Sequence, residues 1–146
     1  MTALAANKAR KSLLNCVVGR LPVGIGLAAS AKLYAGSIAS VNSSGYGVAG
    51  RATATDKVLG VSRKLVDNTG GSAGDVTAKE IETGTFLFAN STSTDEITAA
   101  DIGAWCYVVD DNTVAKTDNS SARPKAGRIA GVDSSGVWVE VGVHPV

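Results

Sequence analysis

Strict alternation of side-chain type near the carboxyl end is the feature that most restricts the possible folds. Residues 137–143 have the sequence Val-Trp-Val-Glu-Val-Gly-Val, so every odd position is valine, and the even positions carry tryptophan, glutamate and glycine. Because side chains alternate between the two faces of an extended strand, all four valines share one face. The segment therefore predicts a strand with one buried and one outer face.

Three clusters of Gly, Asn, Asp, Ser and Thr separate pairs of β-prone runs, and each predicts a tight reversal of the chain. The clusters are residues 42–45, residues 110–113 and residues 133–136. The runs on either side of each cluster predict the two strands of a hairpin. In the run before residues 110–113, the side chains of Trp105, Tyr107 and Val109 share one face.

Two further β-prone runs, residues 58–61 and 76–88, predict additional strands. The alternation in the longer run slips near Glu80 and Ile81, which predicts a β-bulge. Residues 68–74, Asn-Thr-Gly-Gly-Ser-Ala-Gly, predict a flexible loop between the runs. Short strands separated by turns are typical of a small antiparallel β-barrel or sandwich, so we expect a mainly all-β fold.

The length and composition fit one globular domain. With 146 residues, 45% of them apolar and 18% charged, the chain can bury a core without disulfides or metals, and its 17 glycines indicate many turns. We assign residues 31–146 to a β-barrel-like body and residues 1–30 to an N-terminal arm. Residues 3–18 fit either a short helix or an extended segment that a partner would order.

The charge is balanced overall and uneven along the chain. With 14 Lys and Arg residues against 13 Asp and Glu residues, the net charge is +1, so we expect no direct nucleic-acid partner. Four basic residues nevertheless lie within the first twenty positions, and the first acidic residue is Asp56. They are Lys8, Arg10, Lys11 and Arg20. The arm is therefore basic.

The two cysteines, Cys16 and Cys106, are too far apart in the sequence for a paired-ligand zinc motif, and two alone do not suggest a disulfide scaffold. We expect both to be reduced, packed thiols, which fits assembly in a reducing cytosol. Residues 12–31 superficially resemble a secretion signal, but Asn15, Arg20 and Pro22 interrupt the apolar stretch. No apolar run is long enough to span a bilayer, so we expect no membrane partner.

Candidate catalytic and cofactor-binding groups are few. The single histidine, His144, lies beside Pro145 near the carboxyl end, a poor place to preorganise a catalytic site. Residues 24–29, Gly-Ile-Gly-Leu-Ala-Ala, have the spacing of a dinucleotide-binding turn but lack an acidic residue about 20 positions later. We therefore expect no enzyme activity and no cofactor.

Two acidic pairs, Asp95 with Glu96 and Asp110 with Asp111, lie in predicted loops. Neither has the repeated acidic pattern and glycine of a calcium-binding loop, so we expect solvated turn residues and no metal site. The seven aromatic residues are not interleaved with basic residues, and we expect most of them in the core. Trp138, on the polar face of its strand, is a candidate interface anchor.

The order of strands and glycine turns along the body resembles a known family. The segments that carry the likeness are residues 58–61, 76–84, 97–108 and 127–131. Their succession resembles that of bacteriophage capsid decoration, or cement, proteins, and the likeness covers residues 31–143. The arm departs from the usual start in this family, where the barrel begins almost at once.

The resemblance implies a structural virion protein that binds the outer surface of the phage head and bridges neighbouring subunits of the major capsid protein. It also implies homo-oligomers, most often trimers, although a dimer would serve as well. Because linked contacts raise overall avidity, such an oligomer would strengthen the shell.

We assign docking to the arm, where a disordered tail is an equally good interpretation. Its basic residues would face an acidic shell surface, and its apolar residues would anchor it. The residues concerned are Lys8, Arg10, Lys11 and Arg20, with Leu13, Leu14 and Val17.

Two other classes of function remain open. A carbohydrate- or receptor-binding β-module on a phage particle is the second interpretation, because loops such as residues 68–74 can bind ligands. Its support is weaker, since no predicted turn contains tryptophan and only Tyr46 borders one. An enzyme ranks third, and a hydrolytic activity lost on mutation of His144 would favour it.

Overall fold

The computed structural model describes residues 2–10 and 12–142, with the side chains of residues 2–10 and 19–142. This part of the chain forms thirteen strands and two short 3-10 helices. The strands are β1 (Ser12–Arg20), β2 (Ile25–Gly26), β3 (Lys32–Leu33), β4 (Ile38–Val41), β5 (Gly47–Ala49), β6 (Lys57–Ser62), β7 (Val66–Asp67), β8 (Thr77–Ala78), β9 (Ile81–Phe88), β10 (Trp105–Val108), β11 (Val114–Ala115), β12 (Lys125–Asp133) and β13 (Gly136–Val141). The 3-10 helices are Ser93–Asp95 and Ala99–Asp101.

Nine strands form one antiparallel sheet, which curls into a half-barrel. Its order is β11-β10-β12-β13-β9-β6-β4-β5, and β1 pairs with β9. Two small sheets, β2 with β8 and β3 with β7, complete the fold. The predicted all-β class is confirmed, and the basic segment before residue 21 is extended, with no helix in its described part.

Strand β9 is the branch point of the main sheet. Gly84 pairs with both β1 and β13, and Glu82 pairs with both β1 and β6. Because a strand has only two edges, β1 occupies one edge, and β13 and β6 share the other. At this junction Gly142 has φ of +107°, and a Cβ there would overlap the side chain of Thr83. Only glycine fits this position without strain.

The core consists of two apolar clusters, on opposite faces of β4 and β6. The larger cluster lies inside the curl and contains Ile38, Val61, Phe86, Phe88, Ile97, Cys106, Val108, Val114, Ala126, Ile129, Val137, Val139 and Val141. The smaller cluster lies under the two small sheets and contains Leu27, Leu33, Ala39, Leu59, Ala78 and Ile81. Each fully buried Val, Leu, Ile or Phe contributes about 1.5–3 kcal/mol, so these clusters supply the main driving force for folding.

All three predicted hairpins are present, as β4–β5, β10–β11 and β12–β13. In β13 the valines at 137, 139 and 141 are buried, and the residues between them face outward. Each turn is held by its first acidic or amide side chain. The carboxylate or amide oxygens of Asn42, Asp110 and Asp133 accept hydrogen bonds from backbone N–H groups two residues later.

Two local predictions need correction. Residues 76–88 are not one bulged strand but two strands in different sheets, β8 and β9, because Ala78 and Ile81 both pack in the smaller cluster and the chain must turn between them. The loop at residues 68–74 has an internal polar anchor. Asn68 is only 3% exposed, and its amide donates to the carbonyl oxygens of Ala28 and Ser72.

The turn between β10 and β11 joins the two ends of the curled sheet. Arg51, just after β5, forms a β-bridge with Asp110, and the N–H of Ile38 donates to the carbonyl oxygen of Asp111 at 2.9 Å. The curl is thereby held by contacts between residues far apart in the sequence. Within residues 2–10 and 12–142, no helix has the length and apolar character needed to cross a membrane.

Candidate interaction surfaces

The first candidate surface is the N-terminal segment, residues 2–10, which lies along the body. Leu4 N–H donates to the Asp111 carboxylate at 2.8 Å, and Lys8 N–H donates to the Ala35 carbonyl at 2.7 Å. The Asn7 side chain accepts a hydrogen bond from Ala35 N–H at 2.9 Å. The segment assigned to an arm is thus tied to the body at several points.

Arg10 makes the strongest of these connections. Its guanidinium donates twice to the Gly36 carbonyl, at 2.7 and 2.9 Å, once to the Leu87 carbonyl at 2.8 Å and once to the Asn112 side chain at 3.0 Å. Its Cζ also lies 4.7 Å from the centre of the Phe88 ring. Planar guanidinium groups suit such forked contacts. Arg10 therefore fastens the segment to the barrel.

Burial lowers the pKa of Arg10 to about 10, and the nearby Asp111 carboxylate opposes that shift. Burial also raises the pKa of Asp111, against the hydrogen bond from Leu4. The prediction that Arg10 faces a shell surface is therefore corrected, because its donors are used within the chain.

For the other arm residues, the docking role remains a prediction. Lys8 and Arg20 are exposed, and Arg20 lies 3.9 Å from Glu80. Lys11 and the side chains of the three apolar anchors lie outside the described residues; the anchors are Leu13, Leu14 and Val17.

The second candidate surface lies on the outer face of β10 and β12 and is centred on Trp105. We call it the Trp105 surface; it comprises Val58, Trp105, Lys125 and Arg128. Trp105 is 41% exposed, which makes it one of the four large apolar residues on the outside of the described chain; another, Ile102, is 51% exposed and lies three residues before it in the sequence. The surface therefore combines exposed apolar area with two cations.

Two positive side chains lie over the Trp105 ring. Lys125 Nζ is 4.7 Å and Arg128 Cζ is 4.8 Å from the ring centre. Arg128 also donates to the Gly103 carbonyl at 3.0 Å, which ties it to the loop beside Ile102. Cation–π contacts at exposed sites contribute about 0.5–1 kcal/mol each, enough to hold the ring in one orientation.

Two adjoining depressions, of about 510 and 630 Å³, meet at Trp105 and share Val58 and Lys125 as lining residues. The first also contains Lys57, Arg123 and Asp118, and the second contains Arg128 and Glu140. Together they form a shallow trough that passes the indole ring. A trough with an aromatic centre and charged sides suits recognition of another molecule.

The sequence prediction that most aromatics are buried missed this surface. Trp105 and Tyr107 do share a face, as predicted, but it is the outer one, because the alternate residues Cys106 and Val108 are fully buried. Cysteine and valine are usually buried, so Cys106 and Val108 could have indicated which face of the strand is the inner one. Trp138 is half-buried, and its indole N–H donates to Asp133 at 3.1 Å; its role as an interface anchor stays a prediction.

The side chains of the acidic pairs mainly make contacts that stabilise the fold. Asp95 accepts hydrogen bonds from Thr117 and Arg123, and the bond from Thr117 is the main reason why its pKa is lowered. Asp110 caps its own turn, and Asp111 binds the N-terminal segment. Among residues 2–10 and 12–142, no group of three His, Cys, Asp or Glu side chains is placed to hold a metal ion. His144 lies outside the described residues.

Residues 24–29 do not form a strand followed by a helix, the context that a dinucleotide-binding turn requires. Residues 25–26 form β2, which pairs with β8, and Leu27 is fully buried in the smaller core cluster. A turn follows only at residues 29–30.

Cys106 is a free, fully buried thiol, as predicted, whereas the side chain of Cys16 lies outside the described residues. Burial raises the pKa of Cys106 to about 12.

In a Cys16→Ser variant at pH 8, we expect Cys106 to react with a maleimide at least about 100-fold more slowly than a free thiol, because the reactive thiolate is scarce and enclosed. Stopped-flow labelling measures this rate. Labelling as fast as glutathione in the native state would contradict the packing, and denaturant supplies the exposed-thiol control.

Comparison with protein-family models, with curated proteins and with solved structures gave no match. The surfaces described above are therefore interpreted from their own geometry and from the sequence resemblance.

Proposed function

We propose that this chain is a structural virion protein, a capsid decoration protein that binds the outside of a phage head and stabilises contacts between major capsid protein subunits. The observation that carries the proposal is the Trp105 surface, an exposed tryptophan with two cations over its ring and Val58 in the same depressions. Tryptophan and arginine are the residue types most often found at the energetic centre of protein interfaces.

The β-scaffold supports this role. Trp105 stands on β10, which is paired on both edges, and Lys125 and Arg128 hold its ring. A ring that is already fixed loses little conformational entropy when a partner covers it. Binding therefore keeps most of the free energy gained from apolar contact.

The mechanism we propose is mechanical. A homo-oligomer, as a trimer or a dimer, presents several copies of the surface to neighbouring shell subunits, and the linked contacts must break together before the shell opens. The exposed Lys8 of the N-terminal segment and the exposed Arg20 at the end of β1 add contacts to acidic shell groups. No reaction or cofactor takes part.

Sedimentation with heads tests the proposal. Purified protein is mixed with empty, expanded heads made of the shell protein of the same phage, and with unexpanded heads, and each mixture is pelleted. We expect the chain to pellet with expanded heads in a saturable amount, because expansion brings the outer faces of neighbouring subunits into their final register. Failure to pellet with either form would overturn the proposal.

The second candidate, a carbohydrate- or receptor-binding module, has one favourable observation. Exposed aromatic rings commonly bind apolar faces of sugars, and Trp105 lies beside open depressions. However, two cations already lie over its ring. We therefore rank this function second, and a neutral oligosaccharide serves as its probe below.

A further inference from the structure

The first of three donors on side chains that line the trough is the indole N–H of Trp105. Within residues 2–10 and 12–142, no group accepts a hydrogen bond from it, whereas the N–H of Trp138 donates to Asp133. Indole nitrogen can only donate, so its natural partner is an acceptor from another molecule or from water. The rim of an aromatic ring also carries partial positive charge, which favours a negative acceptor.

The second and third donors are the cations over the ring. Lys125 and Arg128 bring an ammonium and a guanidinium group to within 5 Å of the ring centre. Both are exposed and can therefore contact a ligand while they keep their contact with the ring. Hydrogen bonds from charged donors to carboxylates are among the strongest polar contacts in proteins.

The other charged groups along the trough do not remove its preference for a negatively charged acceptor. Lys57 is exposed, Asp56 is buried and bound by Arg51 at 2.6 Å, and Arg123 is bound by Asp95 at 3.2 Å. Two carboxylates, Asp118 and Glu140, also line the trough. Glu140 is the cross-strand partner of Arg128, so these carboxylates lower the positive charge of the trough, which suits a short acidic segment better than a long polyanion such as a nucleic acid.

We propose that the Trp105 surface binds an acidic, extended segment of the shell protein, with a carboxylate seated between the Trp105 indole N–H, Lys125 and Arg128. This inference rests on the proposed decoration function. An extended segment fits because its side chains alternate, so a neighbouring apolar side chain can pack on Val58 while the carboxylate faces the donors.

Two kinds of variant isolate the donors. Trp105→Phe keeps an aromatic ring under the cations but removes the N–H together with part of the ring area, and the double variant Lys125→Gln with Arg128→Gln removes both charges. Lys79→Gln is the matched control, since Lys79 is an exposed lysine that lines a different depression. The indole signal of Trp138 and the thermal transition of each variant show that the fold is retained.

The first experiment uses a fluorescein-labelled oligoglutamate as the probe. We expect it to shift the Trp105 indole N–H signal and not that of Trp138, with affinity falling between low salt and about 0.5 M salt. The double variant should bind about tenfold more weakly, because it lacks two charge contacts of modest individual strength, and Lys79→Gln should bind like the wild type. Trp105→Phe should also bind more weakly.

An unchanged Trp105 signal, or equal binding by the double variant, would overturn the carboxylate site. A shift of the same indole by a neutral maltooligosaccharide, with no response to oligoglutamate, would overturn it in favour of the carbohydrate-binding module. These outcomes do not depend on the phage head.

The second experiment repeats sedimentation with expanded heads. If the wild type pellets and the double variant pellets as well, the shell-docking site is wrong while the decoration function stands. If the wild type does not pellet, the decoration function fails, and with it the shell segment as the ligand. Loss of pelleting by the double variant and Trp105→Phe, with normal pelleting by Lys79→Gln, is the result we expect.

Discussion

Replacing Arg10 by alanine is expected to lower the free energy of unfolding by about 3 kcal/mol, as for loss of a largely buried, charged hydrogen-bond donor. The substitution leaves the carbonyl oxygens of Gly36 and Leu87 without these donors and removes the contact with the Phe88 ring. Urea denaturation followed by fluorescence measures the change.

Lys8→Ala is the matched control, because Lys8 is a basic residue of the same segment whose side chain makes one long contact, 3.4 Å to Asn112. We expect it to change the free energy of unfolding by less than about 0.5 kcal/mol. Equal and small effects of the two substitutions would show that the segment does not contribute to folding.

Replacing Gly127 by alanine is expected to cost about 3 kcal/mol, at the upper end of the effects of overpacking. A Cβ at this position in β12 would overlap the carbonyl oxygen of Glu140 in β13, and backbone cannot move aside as a flexible side chain can. The strand pair must therefore separate locally, next to the buried Cys106.

Gly131→Ala provides the control within the same strand. Its Cβ would meet the Trp138 side chain at 3.7 Å, an ordinary van der Waals distance. We expect a change in the free energy of unfolding within about 0.5 kcal/mol, measured in the same urea titrations. If Gly127→Ala were equally mild, the close pairing of β12 and β13 would be wrong.

The sequence was most informative where structure depends on neighbours along the chain. The hairpins followed from alternating valines and from turn residues such as Asn42 and Asp133, which accept hydrogen bonds from the next residues but one. Such contacts are local, so composition and spacing predict them. The branch at β9 was not predictable in this way, because its two neighbours on one edge come from distant segments.

The candidate surfaces were harder to predict for the same reason. Arg10 is turned inward by carbonyl oxygens at residues 36 and 87, and nothing near it in the sequence signals their approach. Trp105 was placed on the correct strand and on one face with Tyr107, but the alternation alone did not say which face is the outer one. The expectation that most aromatic residues are buried did not point to an exposed ring. Its cationic neighbours come from β12, which only the sheet pairing brings beside it.

Oxidative footprinting of the chain on the head tests the docking surface most directly. Hydroxyl radicals are generated with the free protein and with protein bound to expanded heads, and mass spectrometry compares the oxidation rates of Trp105 and Trp138. We predict that head binding slows oxidation of Trp105 severalfold and slows that of Trp138 less. A head-bound chain in which Trp105 is oxidised as fast as in the free protein would contradict docking through the Trp105 surface.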